Sequence, residues 1–268
     1  MRIKLFKATQ WTGAETRSVE DRLPVEAVLQ IKVNGVPYTT TVRTPGADHA
    51  LARGLMHTEG VLTGPEIRPE FREIADPATG IAGCLEVSVP AAAVAKPLAD
   101  RRSAMGSASC GLCGIREPEE LELRGAPLVA PPGRGLSRAC VAQLLDALPD
   151  HQPIFQATGG VHAALAFSID GTILSSHEDI GRHNAVDKVI GDLILREQLA
   201  SACGVLVSGR VSYEIVYKAC QARWPYLIAV SAPSSLAIEM AEAFGLCVVA
   251  FCRPRRATVY SHPGYLAD

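Results

Sequence analysis

The chain has almost no charge of one sign to spare. Its 26 Lys and Arg stand against 28 Asp and Glu, a net charge of −2 over 268 residues, with an isoelectric point near 6.4. No global basic field points to nucleic acid or an anionic membrane, so local basic clusters must be judged one by one. Long hydrophobic runs are missing as well. The longest, such as Cys203–Val207 and Leu246–Cys252, are far too short to span a bilayer. Met1–Gln10 carries Arg2, Lys4 and Lys7 but no apolar segment of the kind a secretory signal needs. There is no internal repeat and no low-complexity tract. A cytoplasmic protein with no membrane and no nucleic-acid partner is expected.

What remains is an ordinary globular balance, 48% hydrophobic and 20% charged, long enough for one large domain or two small ones. Eight cysteines lie at positions 84, 110, 113, 140, 203, 220, 247 and 252. Six fall in strand-like or helix-like apolar segments and read as small core residues. The other two stand in Ser109-Cys110-Gly111-Leu112-Cys113-Gly114, inside a Ser/Gly/Cys-rich stretch from Met105. Two thiols three residues apart between glycines can hold a metal, form a disulfide or carry a sulfur atom. Without a secretory signal, a structural disulfide framework is disfavoured.

Alternation over Val25–Val33, the Asn34-Gly35 turn and a second alternating run to Val42 predict a hairpin. Asp48 is expected to cap a helix running to about Thr58, closed by Gly60, with His49 and His57 facing solvent. Leu85–Val89 reads as a strand. Residues 91–135 are loop-rich and contain the cysteine pair, so a boundary is expected there, dividing 1–135 from 136–268. In the second half Ser137 caps a helix with Val141, Leu144, Leu145 and Leu148 in one stripe. Strands at 161–169 and 172–176 form a hairpin around Asp170-Gly171. A helix from Gly181 follows, then strand 203–208, helix 212–222, strand 226–231, helix 234–244 and strand 246–252. The fold class is α/β: a three-layer αβα domain with a parallel portion of sheet, preceded by a smaller β-rich domain.

Parallel strands present ligands at their carboxyl ends. Three segments occupy that edge: Ser208-Gly209-Arg210, Ser231-Ala232-Pro233-Ser234-Ser235, and Phe251-Cys252-Arg253-Pro254-Arg255-Arg256. Small residues and helix N-termini favour an anion, and arginines add planar forks for phosphate. Any one loop is more simply read as a helix cap with solvated arginines. Three on one edge favour a phosphate-bearing ligand. Thr158–His162 brings a hydroxyl, two glycines and an imidazole to a strand start, although a single His162 is more often a core residue. Glu178-Asp179-Ile180-Gly181-Arg182-His183-Asn184, with Asp187 and Lys188 one turn on, is denser than a capping Asp179 and a helix-surface ion pair explain. Such density suggests a working cleft. No second paired ligand motif accompanies Cys110 and Cys113, and His162 is followed by Ala163-Ala164 rather than a deaminase signature, so no metal is expected.

Taken in order, Thr44-Pro45-Gly46, Thr58-Glu59-Gly60, the Ser109–Gly114 cysteine pair, Thr158–Ala163, Glu178–Lys188, Ser208-Gly209-Arg210, Glu214, Lys218 and Ser231–Ala237 resemble the FdhD family of formate dehydrogenase accessory sulfurtransferases. The resemblance covers most of the chain, and Ala108 departs from it where a second serine is expected. It implies a fold similar to cytidine deaminases without their zinc. It also implies a sulfur carrier, cytoplasmic and homodimeric, between a cysteine desulfurase and the molybdenum bis-guanine-dinucleotide cofactor of formate dehydrogenase. The family's persulfide cysteine corresponds to Cys110, with Cys113 as helper or alternative, and its cofactor segment to Phe251–Arg256. His183 and Asp179 are expected to help position that cargo. Three competing readings stay open: a non-catalytic cofactor chaperone, a thiol–disulfide oxidoreductase and a zinc hydrolase or deaminase. The oxidoreductase motif usually opens a helix after a strand, which this Gly/Pro-rich setting does not offer.

Overall fold

Residues 3–24, for which no strand was expected, form a long hairpin in the computed structural model, which describes residues 2–95, 125–131, 133, 135–253 and 255–268. Strands β1 (Ile3–Thr12) and β2 (Glu15–Pro24) pair antiparallel without a break, from Ile3 opposite Pro24 to Thr12 opposite Glu15. The predicted hairpin follows as β3 (Ala27–Val33) and β4 (Val36–Arg43). Asn34 and Gly35 both take positive φ, 50° and 80°, as the tight turn between twisted strands requires. Helix α1 (Asp48–Thr58), β5 (Glu70–Ala75) and β6 (Ala82–Ser88) complete a four-stranded sheet of order β4-β3-β6-β5. Leu51, Ala52 and Met56 of α1 pack on Leu29, Ile31, Val33, Leu85 and Val87, all essentially inaccessible.

Two local expectations in this half are corrected. Asp48 does not cap α1: Ala47 holds the cap position at φ 56° without a side-chain bond. The Asp48 carboxylate instead pairs with buried Arg43 at 2.7 Å, and Arg43 also donates to the Ala27 and Ala82 carbonyls, tying the end of β4 to the helix. His57 does not face solvent. Its Nε2 lies 3.1 Å from the Gln221 carbonyl oxygen, and burial, then the nearby Arg53, push its pKa down to about 4. The partly exposed His49 stacks on Phe71 with ring centroids 4.6 Å apart.

The second half follows the predicted alternation: β7 (Leu136–Ser137), α2 (Arg138–Ala147), α3 (Pro153–Thr158), β8 (His162–Phe167), β9 (Ile173–Asp179), α4 (Arg182–Leu195), β10 (Gly204–Val207), α5 (Tyr213–Gln221), β11 (Tyr226–Ala229), α6 (Ser235–Phe244), β12 (Cys247–Arg253), β13 (Arg256–Val259) and β14 (Leu266–Ala267). Ser137 caps α2 as expected, its hydroxyl accepting from the Cys140 amide. The sheet order is β13-β12-β11-β10-β8-β9, with β10, β11 and β12 parallel and β8 and β13 antiparallel to their neighbours. One face is covered by α4, α5 and α6 through Val186, Val189, Ile215, Ala219, Ala237 and Ala241. The other is covered by Leu136, Val141, Leu144 and Leu148 of the α2 region. The architecture is therefore the expected three-layer αβα. Helices α1 and α4 join the two halves across a close crossing at Gly54 and Gly191.

Candidate functional site at the sheet edge

Strands β9, β10, β11 and β12 all end at one edge of the large sheet, and β8 begins there. That edge collects His162, Asp179, Ser208-Gly209-Arg210, Ser231 and Arg253, together with the N-termini of α4, α5 and α6. The Ser208 hydroxyl accepts from the Ala163 amide, fastening β10 to β8. Gly209 has a steric reason to be glycine: a Cβ there would lie 3.2 Å from His162 Nδ1 and 3.5 Å from Arg182 Cβ. Its bare backbone lets His162 and Arg182 close over the strand end. Burial, then Arg182 and Arg210, lower the His162 pKa. Neither of its ring nitrogens has a hydrogen-bond partner among the described residues.

His183, buried behind this group, places Nε2 3.4 Å from Ser212 Oγ and 3.6 Å from the Glu214 carboxylate. The His183 contact, more than any other, drives Glu214 down to about 2 against the opposing effect of burial. Arg182 keeps its buried Nε without a partner among the described residues, and Arg210 is exposed. The Ser231 carbonyl accepts from the Phe251 amide, and the Ser234 hydroxyl caps α6 by accepting from the Ala237 amide.

The third expected loop is instead a hairpin. β12 continues through Arg253 and returns as β13, with a register shift between Ala250 and Arg253 and Phe251 at φ 52°. Arg253 Nη1 donates to the Val230 and Cys252 carbonyls, both at 2.7 Å, which fixes its guanidinium against the end of β11. Arg253, Arg255 and Arg256 join Arg138 of α2 around a cavity of 570 Å³. Its floor is apolar, formed by Val141, Ala142, Leu145, Val249, Val259 and Leu266. Cys252 does not line the cavity: it is 1% exposed, belongs to the core cluster of the α2 face with Val141 and Val249, and turns its thiol toward the Val249 carbonyl, so it supports the hairpin from inside. Guanidinium forks over an apolar floor suit a ligand carrying both phosphates and a planar ring.

The expected edge residues thus fall into two groups. Arg253, Arg255 and Arg256 border the cavity on the α2 face, whereas His183, Gly209 and Arg210 gather with His162 and Arg182 at the starts of α4 and α5. Arg138 was not singled out from the sequence, and Arg182 was named only as a member of the Glu178–Asn184 cluster. Arg138 is remote in the chain from the arginines it joins, while Arg182 stood in plain view beside His183. Pro254, Cys110 and Cys113 lie outside the described residues.

The Glu178–Lys188 string is mostly a brace rather than an open cleft. Glu178 accepts from the Ile154 and Phe155 amides at the start of α3. Asp179, wholly buried, meets Lys188 at 2.6 Å and accepts from the amides of Thr44 and Gly181 and from Asn184. Burial raises the Asp179 pKa and lowers that of Lys188, and their mutual contact opposes both shifts. Lys188 also donates to the Thr44 carbonyl, and Asn184 to that of Val42. Asp187 does not pair with its neighbour Lys188. It receives Lys218 at 2.7 Å and the Thr58 hydroxyl at 2.9 Å. Adjacent helical residues do not face one another, so the Asp187-Lys188 dipeptide was itself a sign of two separate partners.

Among the cysteines, burial pushes Cys203, Cys220 and Cys247 up to about 12 and raises Cys252. No three His, Cys, Asp or Glu side chains among the described residues converge as a metal site. No described helix is long and apolar enough to cross a membrane.

Comparison with known proteins adds to this geometry. The profile of the FdhD/NarQ family matches residues 24–267. A sulfur carrier protein FdhD from Anaeromyxobacter dehalogenans is 41% identical over 256 residues, 91% of this chain and 88% of the relative. One from Mycobacterium tuberculosis is 41% identical over 253 residues, 90% of each chain. A solved structure from Desulfotalea psychrophila, assigned as a formate dehydrogenase accessory protein, superposes with a TM-score of 0.78 over 100% of both chains at 22% identity, which establishes the shared fold.

Proposed function

The chain belongs to the FdhD/NarQ family, and on that premise we propose that it is a sulfur carrier in formate dehydrogenase maturation. In this reading Cys110 is the carrier. Its thiolate attacks the outer sulfur of a persulfide on a cysteine desulfurase, the desulfurase thiolate leaves, and Cys110 holds the sulfur as a persulfide of its own. Cys113, three residues on across Gly111-Leu112, stabilises or releases that sulfur. The cargo that receives it is the molybdenum bis-guanine-dinucleotide cofactor, bound by a homodimer of this chain in the cytoplasm.

The observation that carries the cargo assignment is the arginine-rimmed cavity. Arg138, Arg253, Arg255 and Arg256 over an apolar floor give one nucleotide arm both its charge partners and its ring platform. The burial of Cys203, Cys220, Cys247 and Cys252 supports Cys110 and Cys113 as the working thiols, because burial raises all four pKa values and a thiol so raised supplies little thiolate near neutrality.

The deciding experiment reconstitutes formate dehydrogenase with a desulfurase, cysteine and this protein as wild type, Cys110→Ala or Cys113→Ala. The reading requires one added sulfur on the intact mass of the wild type, and loss of both that mass and activation in Cys110→Ala. Activation by a Cys110→Ala, Cys113→Ala double variant at the wild-type level would instead support a cofactor chaperone without a transfer step.

A further inference from the structure

The β1–β2 ribbon lies, Pro24 aside, outside the residues that the family profile matches. Two strands of ten residues reach about 33 Å. The ribbon stands on the rest of the chain through β2, which meets α3 and sets Pro24 against Gly160. Beyond that foot it exposes Leu5 (58%), Phe6 (45%) and Trp11 (76%). A lone two-stranded hairpin is marginal in water and gains stability from a third strand.

The two free edges differ in charge. β2 carries Glu15, Arg17, Glu20, Asp21 and Arg22, the kind of charged edge that discourages pairing. β1 carries Lys4 and Lys7, and then no charge from Ala8 to Thr12. We propose that β1 is the docking edge for a second copy of this chain, the two β1 strands pairing antiparallel about a two-fold axis through Ala8. The sequence is self-complementary in that register. Ala8 lies opposite the partner's Ala8, Leu5 opposite the partner's Trp11, Phe6 opposite the partner's Gln10, and Lys7 opposite the partner's Thr9. Every residue from Lys4 to Thr12 then has a cross-strand neighbour and no like charges face each other. An axis through Lys7 would set two lysines against each other. An axis through Thr9 would leave Leu5 opposite the turn glycine, Gly13. The result is a four-stranded sheet with both β1 edges covered and the charged β2 edges outermost.

This surface deepens the homodimer of the proposed reading and rests on that part of it alone. The test uses the full chain. In Ala8→Cys the paired α-carbons would stand about 4.5–5.5 Å apart, within disulfide reach. Mild oxidation should then give a disulfide-linked pair of residue-8 peptides in a tryptic digest. Thr9→Lys should weaken dimerisation about tenfold, since two-fold symmetry repeats its clash with the partner's Lys7, and Thr9→Glu should strengthen it. Sedimentation that finds only monomer, a dimer of Ala8→Cys that never links through residue 8, or equal effects of the two Thr9 variants would each overturn the proposal. Formate dehydrogenase activation by the same preparations separates it from the carrier reading. Cross-linking with no activation sinks the carrier and leaves the ribbon. Activation by a protein that never links through residue 8 sinks the ribbon and leaves the carrier.

Discussion

Gly191 and Gly54 meet backbone to backbone where α4 crosses α1. A methyl group on Gly191 would come within 2.6 Å of the Gly54 amide nitrogen and would also collide with the Ala50 carbonyl. Nothing there is a flexible side chain able to move aside. Gly191→Ala is therefore expected to force the helices apart and cost about 3 kcal/mol, lowering Tm by roughly 5 °C in a chain of this size. Calorimetry against the wild type measures it, and an unchanged Tm would show that the crossing is looser than its geometry.

The same crossing carries buried charge. Lys218 reaches Asp187 at 2.7 Å with both side chains nearly inaccessible, and Thr58 completes the set. Lys218→Met should cost about 3–5 kcal/mol, because a buried carboxylate loses its counter-charge. Adding Asp187→Asn should recover most of that loss. Urea unfolding of the single and double variants decides it, and additive losses would argue against a coupled pair.

Acid should loosen the fold through two histidines. Burial is the leading cause holding both His57 and His177 down to about 4, with Arg53 adding at His57 and Asp192 opposing at His177. An unfolded chain takes up these protons near pH 6.5, so between about pH 6.5 and pH 4 the unfolded state binds more protons than the folded one. Stability is then complete above pH 6.5 and falls as pH drops through that window, by on the order of 3 kcal/mol for each histidine. Unfolding free energies at several pH values should show this slope, and His57→Gln should flatten it by the share of one group. A slope identical to wild type would remove His57 from the account.

Much of this was legible because the decisive signals are local. Asn34-Gly35 and Ser137 act through their immediate neighbours, and the α/β class follows from alternating short apolar runs. Asp48 misled because its carboxylate turns back to Arg43 at the end of β4 rather than capping the helix it begins. The β1–β2 ribbon escaped notice because nearly every side chain in it is exposed, so burial imposes no period on the sequence. At the site, Arg253, Arg255 and Arg256 were readable as a cluster, whereas Arg138 joins them only through the packing of α2 on the sheet. Asp179, Asp187 and Lys188 looked catalytic because buried ion pairs and active sites use the same residue types. Only their partners Thr44, Thr58 and Lys218, each distant in sequence from the groups it meets, tell the two apart.

The cavity arginines give a binding prediction. Arg255→Ala and Arg256→Ala should each weaken binding of GDP, a stand-in for one arm of the proposed cargo, by roughly tenfold, as loss of one charged hydrogen bond implies. Each should also reduce the dependence of binding on salt. Arg253→Ala should do more, since its guanidinium also ties β12 to the Val230 carbonyl. Titration calorimetry at two ionic strengths tests all three, and wild-type affinity in the first two variants would move the nucleotide elsewhere.

Thiol chemistry offers the sharpest separation between carrier and core. Cys203, Cys220 and Cys247 are pushed up to about 12 by burial, and Cys252 is raised with its thiol turned inward toward the Val249 carbonyl. In the native protein at mildly alkaline pH these four should resist alkylation until the fold opens, so their labelling rate should follow unfolding and rise steeply with urea. Cys84 and Cys140 are only half-buried and should react at intermediate rates. The carrier role assigned to Cys110 requires the opposite behaviour, fast labelling that urea does not accelerate and that blocks sulfur uptake. Peptide mass spectrometry over a time course resolves each position. Native labelling of Cys247 as fast as that of Cys110 would mean that burial does not select the working thiol.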